Sequence, residues 1–136
     1  MLNIGKTAQN AIAIMSYLAE CHRDGKGQVS SQAIADVRGL SKSLVGKILT
    51  TLAQKGCVKG STGPGGGYSL AKEPKQITLL DVVSCFELQT KRVACPFGEK
   101  YCASDQKRCA LHDEIFSLSD KVQKFLTKNN FGGFAE

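Results

Sequence analysis

The sequence predicts a mostly α-helical domain interrupted by one short β-hairpin. Apolar residues recur at three- and four-residue intervals through 6–21, 44–52 and 111–126, the period of helices with one buried face. A single glycine-rich run, GPGGGY at 63–68, lies between two short stretches with strand character, CVKGS and YSLAK. The chain has 136 residues, enough to bury one core but not two.

In the first segment, Ile12, Met15 and Ala19 alternate with Ile14 and Leu18 on one helical face from Lys6 to about Cys21, and the turn DGKGQ ends it. Ser30 or Ser31 caps a short second helix through Val37, and GLS at 39–41 turns the chain into SKSLVGKILTTLAQKG. Here Ser41 is the N-cap and Gly56 the stop. Leu44, Val45, Ile48, Leu49 and Leu52 form the buried face, while Lys42, Ser43, Gly46, Lys47 and Thr50 point outward. Two helices joined by a tight turn, with a small polar and cationic face at the start of the second, form a helix-turn-helix that fits a major groove. The hairpin that follows is then a wing. Its Gly63, Gly65, Gly66 and Gly67 let backbone approach another surface closely. A phosphate-cradling enzyme loop is the weaker reading of this run, because no Gly-Lys-Ser/Thr ending occurs and a strand follows. Thr78 caps a further helix to about Glu87, and from Leu111 a long helix runs to about Lys128 with a stripe of Leu111, Ile115, Leu118, Val122, Phe125 and Leu126. Part of that stripe can pack on its own domain. Pairing with a second copy is the expected use of the rest, giving a homodimer.

Hydrophobic content of 42% and charged content of 22% sit near globular averages. No apolar run approaches the roughly 20 residues of a membrane span, and the N-terminal segment lacks the basic flank and cleavage site of a secretion signal, so a cytoplasmic protein without membrane contact is expected. The net charge of +6 is unevenly placed: residues 1–76 hold ten Lys and Arg against four acids, whereas 77–136 hold eight of each. The chain therefore divides into a basic helix-turn-helix and wing region at 1–76 and a neutral part at 77–136 with a cysteine loop and the long helix, all in one compact unit. A basic reading half suits nucleic acid; a solvated basic surface is the bland alternative. Catalysis is not expected: there is no paired-carboxylate constellation, no Ser-His-Asp set and only two histidines, His22 and His112. A protein-interaction module is the more serious rival, since winged helices also mediate protein contacts.

Six cysteines in a reducing compartment argue for metal ligation or redox chemistry rather than structural disulfides. Cys95, Cys102 and Cys109 are separated by six-residue spacers, and His112 follows Cys109 by three positions at a helix start, where both side chains can face one side. Thiolates and imidazole suit zinc or iron, whereas magnesium or calcium would want oxygen. A zinc site, an iron–sulfur cluster, a thiol switch and inert cysteines are all readings of this loop. Short Cys-x-x-Cys pairs, usual for structural zinc, are absent. Cys21, Cys57 and Cys85 fall on apolar or strand positions and read as core residues.

The order of helix-turn-helix, GPGGGYSLAK wing, three spaced cysteines and long terminal helix resembles the Rrf-two family of bacterial transcription regulators over essentially the whole chain. The resemblance implies a winged-helix homodimer that binds palindromic double-stranded promoter DNA, with affinity set in many members by an iron–sulfur cluster. It further implies Cys95, Cys102, Cys109 and His112 as cluster ligands, with [2Fe-2S] favoured over [4Fe-4S], as in IscR-like members. A cluster-free repressor controlled by thiols or a partner, of the CymR type, is the alternative. The expected DNA-contacting set is Ser41, Lys42, Ser43 and Lys47 at the start of the reading helix, with Lys59, Thr62, Gly65, Gly66 and Gly67 in the wing and Lys72 as a further phosphate contact. Three positions and the loop spacing depart from the family pattern. Ala8 stands where NsrR-like members carry an aspartate ligand, Thr62 where an arginine precedes the Gly-Pro, and Gly46 where a glutamate reads bases. The six-residue spacers are one longer than in IscR-like loops. Ala8 disfavours an NsrR-like [4Fe-4S] site and the longer spacers bear on cluster type, whereas Thr62 and Gly46 change the expected target sequence rather than DNA binding itself.

Overall fold

The computed structural model describes residues 4–87 and 110–136. Helix α1 (Lys6–Arg23) is followed by α2 (Ser31–Arg38), α3 (Lys42–Gln54) and the strands β1 (Val58–Ser61) and β2 (Gly67–Leu70). A 3-10 turn at Pro74–Gln76 leads into the short α4 (Leu79–Val83). Helix α5 (His112–Lys128) and a 3-10 turn at Phe131–Ala135 close the chain.

Helix α1 runs two residues beyond its expected end because the glycine that releases it, Gly25 in the left-handed conformation, comes only after Asp24 has bonded back to Glu20 (3.0 Å). Ser30 accepts the Ala33 N–H at 3.1 Å and starts α2, and Gly39 at φ 66° ends it, a position where a left-handed backbone favours glycine. Helix α4 is shorter than expected. It ends at Val83, after which Cys85 and Phe86 bond back three residues (3.1 Å each) instead of four, turning Phe86 onto the core. The Glu87 carboxylate accepts the Gly5 N–H, tying that turn to the start of α1.

Helix α1 is the centre of the core. Ala8, Ala11, Ile14, Met15, Leu18 and Ala19 are all buried, and the alanines let neighbouring elements come close. Against them pack Ile34 of α2, Val45, Ile48, Leu49 and Leu52 of α3, and Val58 and Leu70 of the strands. Ile77, Val82 and Phe131 join the same cluster, so the C-terminal part of the chain shares one core with the N-terminal part. Arg38 fastens α2 to α1: it donates to the Ala13 carbonyl (2.9 Å) and Ser16 Oγ (3.0 Å), pairs with Glu20 at 3.4 Å, and lies over the Tyr17 ring at 5.4 Å.

Beyond α5 the chain folds back beside Ile77–Leu79. Leu79 donates to the Asn129 carbonyl (3.0 Å), Phe131 donates to the Ile77 carbonyl (3.0 Å), and Asn130 caps the last turn through the Gly132 N–H (2.8 Å). Phe131 is fully buried. Truncation to alanine should therefore lower unfolding free energy by about 3–5 kcal/mol, measured as the shift of the urea midpoint at unchanged slope; a loss below about 1 kcal/mol would mean that the terminal turn does not seal the core.

Candidate nucleic-acid interface

The start of α3 is built as the sequence predicts. Ser41 takes an extended backbone, and its hydroxyl accepts the Leu44 N–H at 3.2 Å, which leaves the other first-turn amides facing outward with the positive end of the helix dipole. Ser41, Lys42, Ser43, Lys47 and Thr50 are exposed, whereas Val45, Ile48, Leu49 and Leu52 are buried. Gly46 is half-buried on the outer side, where Thr50 Oγ1 donates to its carbonyl at 2.8 Å. Leu44 is only partly covered and packs at the edge of the core. The geometry presents two lysines and two serines on one helix end, able to bond phosphates and base edges.

The wing strands are antiparallel, with Val58 opposite Leu70, Lys59 opposite Ser69, Gly60 opposite Tyr68 and Ser61 opposite Gly67. Lys59 is exposed, and so are Thr62, Gly63, Pro64 and Gly65 at the tip; Gly66 is half-buried, and its N–H closes the tip on the Gly63 carbonyl at 2.9 Å. Gly67 differs from the other tip glycines because it is buried. A Cβ there would lie 2.4 Å from the Val29 carbonyl oxygen, so its glycine serves a close backbone approach at the base of the wing. That approach is a pair of hydrogen bonds, Val29 N–H to the Tyr68 carbonyl (2.9 Å) and Tyr68 N–H to the Val29 carbonyl (2.7 Å), reinforced by Ser61 Oγ donating to Gln28 Oε1 (2.6 Å). Val29 thus forms an isolated β-bridge that ties the base of the hairpin to the start of α2. No local pattern in QVSS announced this role.

Lys72 is exposed. It lines a cavity of about 340 Å³ beneath the wing, together with Lys55, Cys57, Asp81 and Cys85. Cys21 and Cys57 are buried as expected, but Cys85 is only partly covered. Of the sequence-predicted ligand set, Cys95, Cys102 and Cys109 lie outside the described residues. His112 opens α5, half-buried, with its ring stacked on Phe116 at 6.4 Å between centroids. Among the described residues no three His, Cys, Asp or Glu side chains converge as a metal site.

Helix α5 divides its apolar residues between two tasks. Leu126 is buried against Ala8 and Val83 with Val122 beside it, whereas Leu111, Leu118 and Phe125 are exposed, Leu118 at 61%. Leu111, Ile115, Leu118, Val122 and Phe125 follow alternating spacings of four and three, a heptad seam with β-branched residues at one position and Leu or Phe at the other. Phe116, also exposed at 63%, lies off that seam. Among the described residues no helix is long and apolar enough to cross a membrane.

A three-helix core whose third helix presents a capped cationic end beside a pinned β-hairpin defines a winged-helix transcription regulator. The chain belongs to the Rrf2 family: the family model described as an iron-dependent transcriptional regulator matches residues 4–135. The chain is 29% identical over 126 residues to the HTH-type transcriptional regulator IscR of Cronobacter sakazakii, spanning 93% of this chain and 76% of that protein. Its fold matches that of CymR, the global cysteine regulator of B. subtilis, with a TM-score of 0.83 and 27% identity over 99% of this chain and 97% of that one. T. potens IscR shares the fold with a TM-score of 0.75, covering 96% of this chain and 84% of that one. The protein is a transcription regulator of this family and not an enzyme.

The Gly67 contact is open to direct test. A methyl group there must push Val29 away from Tyr68, so Gly67→Ala should cost about 1–3 kcal/mol of stability and speed amide exchange at Val29 and Tyr68; unchanged exchange would show that the wing is not held by this pairing.

Proposed function

We propose that the protein is a homodimeric regulator that binds palindromic promoter DNA through α3 and the wing, and that an iron–sulfur cluster on Cys95, Cys102, Cys109 and His112 sets its affinity. The observation that carries the DNA reading is the exposed group of Ser41, Lys42, Ser43 and Lys47 at a capped helix start, in the half of the chain that holds the whole +6 excess. Lys42, Lys47 and Lys59 neutralise phosphates, and the first-turn amides of α3 with Thr62, Gly65 and Gly66 add neutral contacts. Ser41, Ser43 and Lys47 reach base edges, with Lys47 suited to guanine. Gly67 supports the wing from below. The exposed heptad seam of α5 supports dimerisation, because burying Leu111, Leu118 and Phe125 against a second copy removes three large apolar side chains from water and sets two reading helices about one DNA turn apart.

The cluster reading is supported by the donor chemistry of three thiolates and one imidazole, by the position of His112 in the first turn of α5, and by the iron dependence in the family's description. A bound cluster supplies an oxidisable, ligand-sensitive centre; [2Fe-2S] is favoured. The chain's own part is to order the loop at the root of the dimer helix and so change the spacing of the reading heads. A second reading, a cluster-free repressor controlled by thiols or a partner, is favoured by the close fold match to the B. subtilis cysteine regulator.

Gel-shift selection from genomic fragments tests the DNA reading. Affinity should fall by orders of magnitude from about 50 to 200 mM salt. Lys47→Ala should weaken binding and reduce the salt slope by about one; binding indifferent to salt and to this change would reject the groove model. For the cluster, protein purified without oxygen should be coloured and carry iron and sulfide, while Cys102→Ala should be colourless yet still a folded dimer. Full iron and sulfide in that variant would remove the loop as the site, and colourless wild type under strict anoxia would favour the thiol- or partner-controlled reading.

A further inference from the structure

Cys57 and Cys85, 28 positions apart in sequence, bring their Sγ atoms to 3.9 Å. Cys57 stands directly after the glycine that ends α3 and directly before β1, so it joins the reading helix to the wing. Cys85 closes the turn after α4 and donates its thiol to the Asp81 carbonyl at 3.2 Å. Both line the cavity beneath the wing, which Lys55 and Lys72 edge with positive charge.

Two thiols in contact at the edge of a core can be no more than a weakly polar part of it. Three features set this pair apart. The cavity gives a small oxidant a path to the sulfurs. It leaves room for them to move, and closing 3.9 Å to the roughly 2.05 Å of a disulfide is a shift on the scale of a side-chain rotation with slight backbone adjustment. The two thiols also differ in accessibility: Cys57 is 7% exposed, whereas Cys85 is only partly covered.

We propose that Cys57 and Cys85 are a reversible dithiol–disulfide site, closed by hydrogen peroxide or an organic hydroperoxide, that couples oxidation to the position of α3 and the wing. The more accessible Cys85 attacks the peroxide first. Its sulfur bonds to one peroxide oxygen, the O–O bond breaks, and the departing oxygen takes the thiol proton to leave as water or an alcohol. The Cys57 sulfur then attacks Cys85 Sγ, the S–S bond forms, the S–O bond breaks, and hydroxide leaves as water with the Cys57 proton. Two electrons pass from the thiols to the O–O bond, and a dithiol reductant reverses the change. Burial pushes the Cys57 thiol up to about 12, and burial also raises Cys85, partly offset by Cys57 and Lys55. Few thiolates are present at neutral pH, so closure answers sustained oxidant rather than trace amounts. In a reducing compartment such a pair cycles instead of persisting closed. The effect on DNA rests on the reading surface proposed above; the chemistry does not.

The test uses the full chain, reduced and then titrated with hydrogen peroxide, with free thiols blocked before peptide mapping. A peptide pair joined through Cys57 and Cys85, lighter by two hydrogens and released by dithiothreitol, is the expected product. It should be absent from Cys85→Ser and from Cys57→Ser. On the duplex recovered by fragment selection, oxidised wild type should bind about fivefold or more weakly than reduced protein, beyond any loss shared with oxidised Cys85→Ser. A Cys57 that stays alkylatable at saturating peroxide, or a Cys85 linked to Cys95, Cys102 or Cys109 instead, overturns the pairing. Equal affinity loss in wild type and Cys85→Ser overturns its link to DNA. Mapping needs no DNA, so failure to find a duplex would count against the reading surface alone.

Discussion

Burial of one face of α1 is the constraint on which the placement of α3 and the wing depends. Ala8, Ala11, Ile14, Met15, Leu18 and Ala19 are all out of water, and each neighbouring element is placed by what it packs against them. At about 25 cal/mol per Å² of apolar area, such a face outweighs any single polar contact in the molecule. Arg38 then sets the angle: its bonds to Ala13 and Ser16, its pairing with Glu20 and its stacking on Tyr17 hold α2 against α1, and the three residues Gly39–Ser41 carry that orientation into α3. The exposed end of α3 inherits its position from the packing of α1.

The wing shows the same separation of support from contact. Its tip is exposed and glycine-rich, but its direction comes from the paired backbone bonds between Val29 and Tyr68 and from Gly67, where a Cβ would strike the Val29 carbonyl; Gly66 also lacks room, its Cβ position lying 2.5 Å from the Ser61 carbonyl oxygen within the hairpin. Gly60 makes a matching close approach across the hairpin, since a Cβ there would lie 2.8 Å from the Tyr68 ring. Glycines that look alike in GPGGGY therefore divide into a tip that can lie against a partner surface and a base that locks the hairpin to the core.

Helix α5 divides its apolar residues between the core and solvent. Leu126 and Val122 are drawn into the small cluster with Ala8 and Val83, and the return of Phe131 to the core anchors the chain just past the helix. Leu111, Leu118 and Phe125 are left in water by the same geometry. A helix anchored at its C-terminal end and apolar along its free side joins the cysteine-bearing segment at one end to the domain core at the other. The Cys57–Cys85 contact links the turn after α4 to the junction between α3 and β1.

The elements themselves were decided locally. Ser30 and Ser41 cap helices because their hydroxyls bond amides three residues on, Gly39 ends one because its backbone is left-handed, and the charge excess of the first half is a matter of composition; all of this can be read without coordinates. The fold class, the helix-turn-helix pair α2 and α3 and the hairpin follow from such short-range rules. Tertiary structure decided what depends on residues distant in sequence: that α4 stops at Val83 so Phe86 can reach the core, that Lys72 lines a cavity with Cys57 and Cys85, and that Gly67 serves Val29. It also decided which side of the α5 stripe stays in water and that Cys57 meets Cys85. Hydrogen bonds within a turn are specified by neighbours along the chain, whereas burial is shared among residues that meet only after the chain has folded.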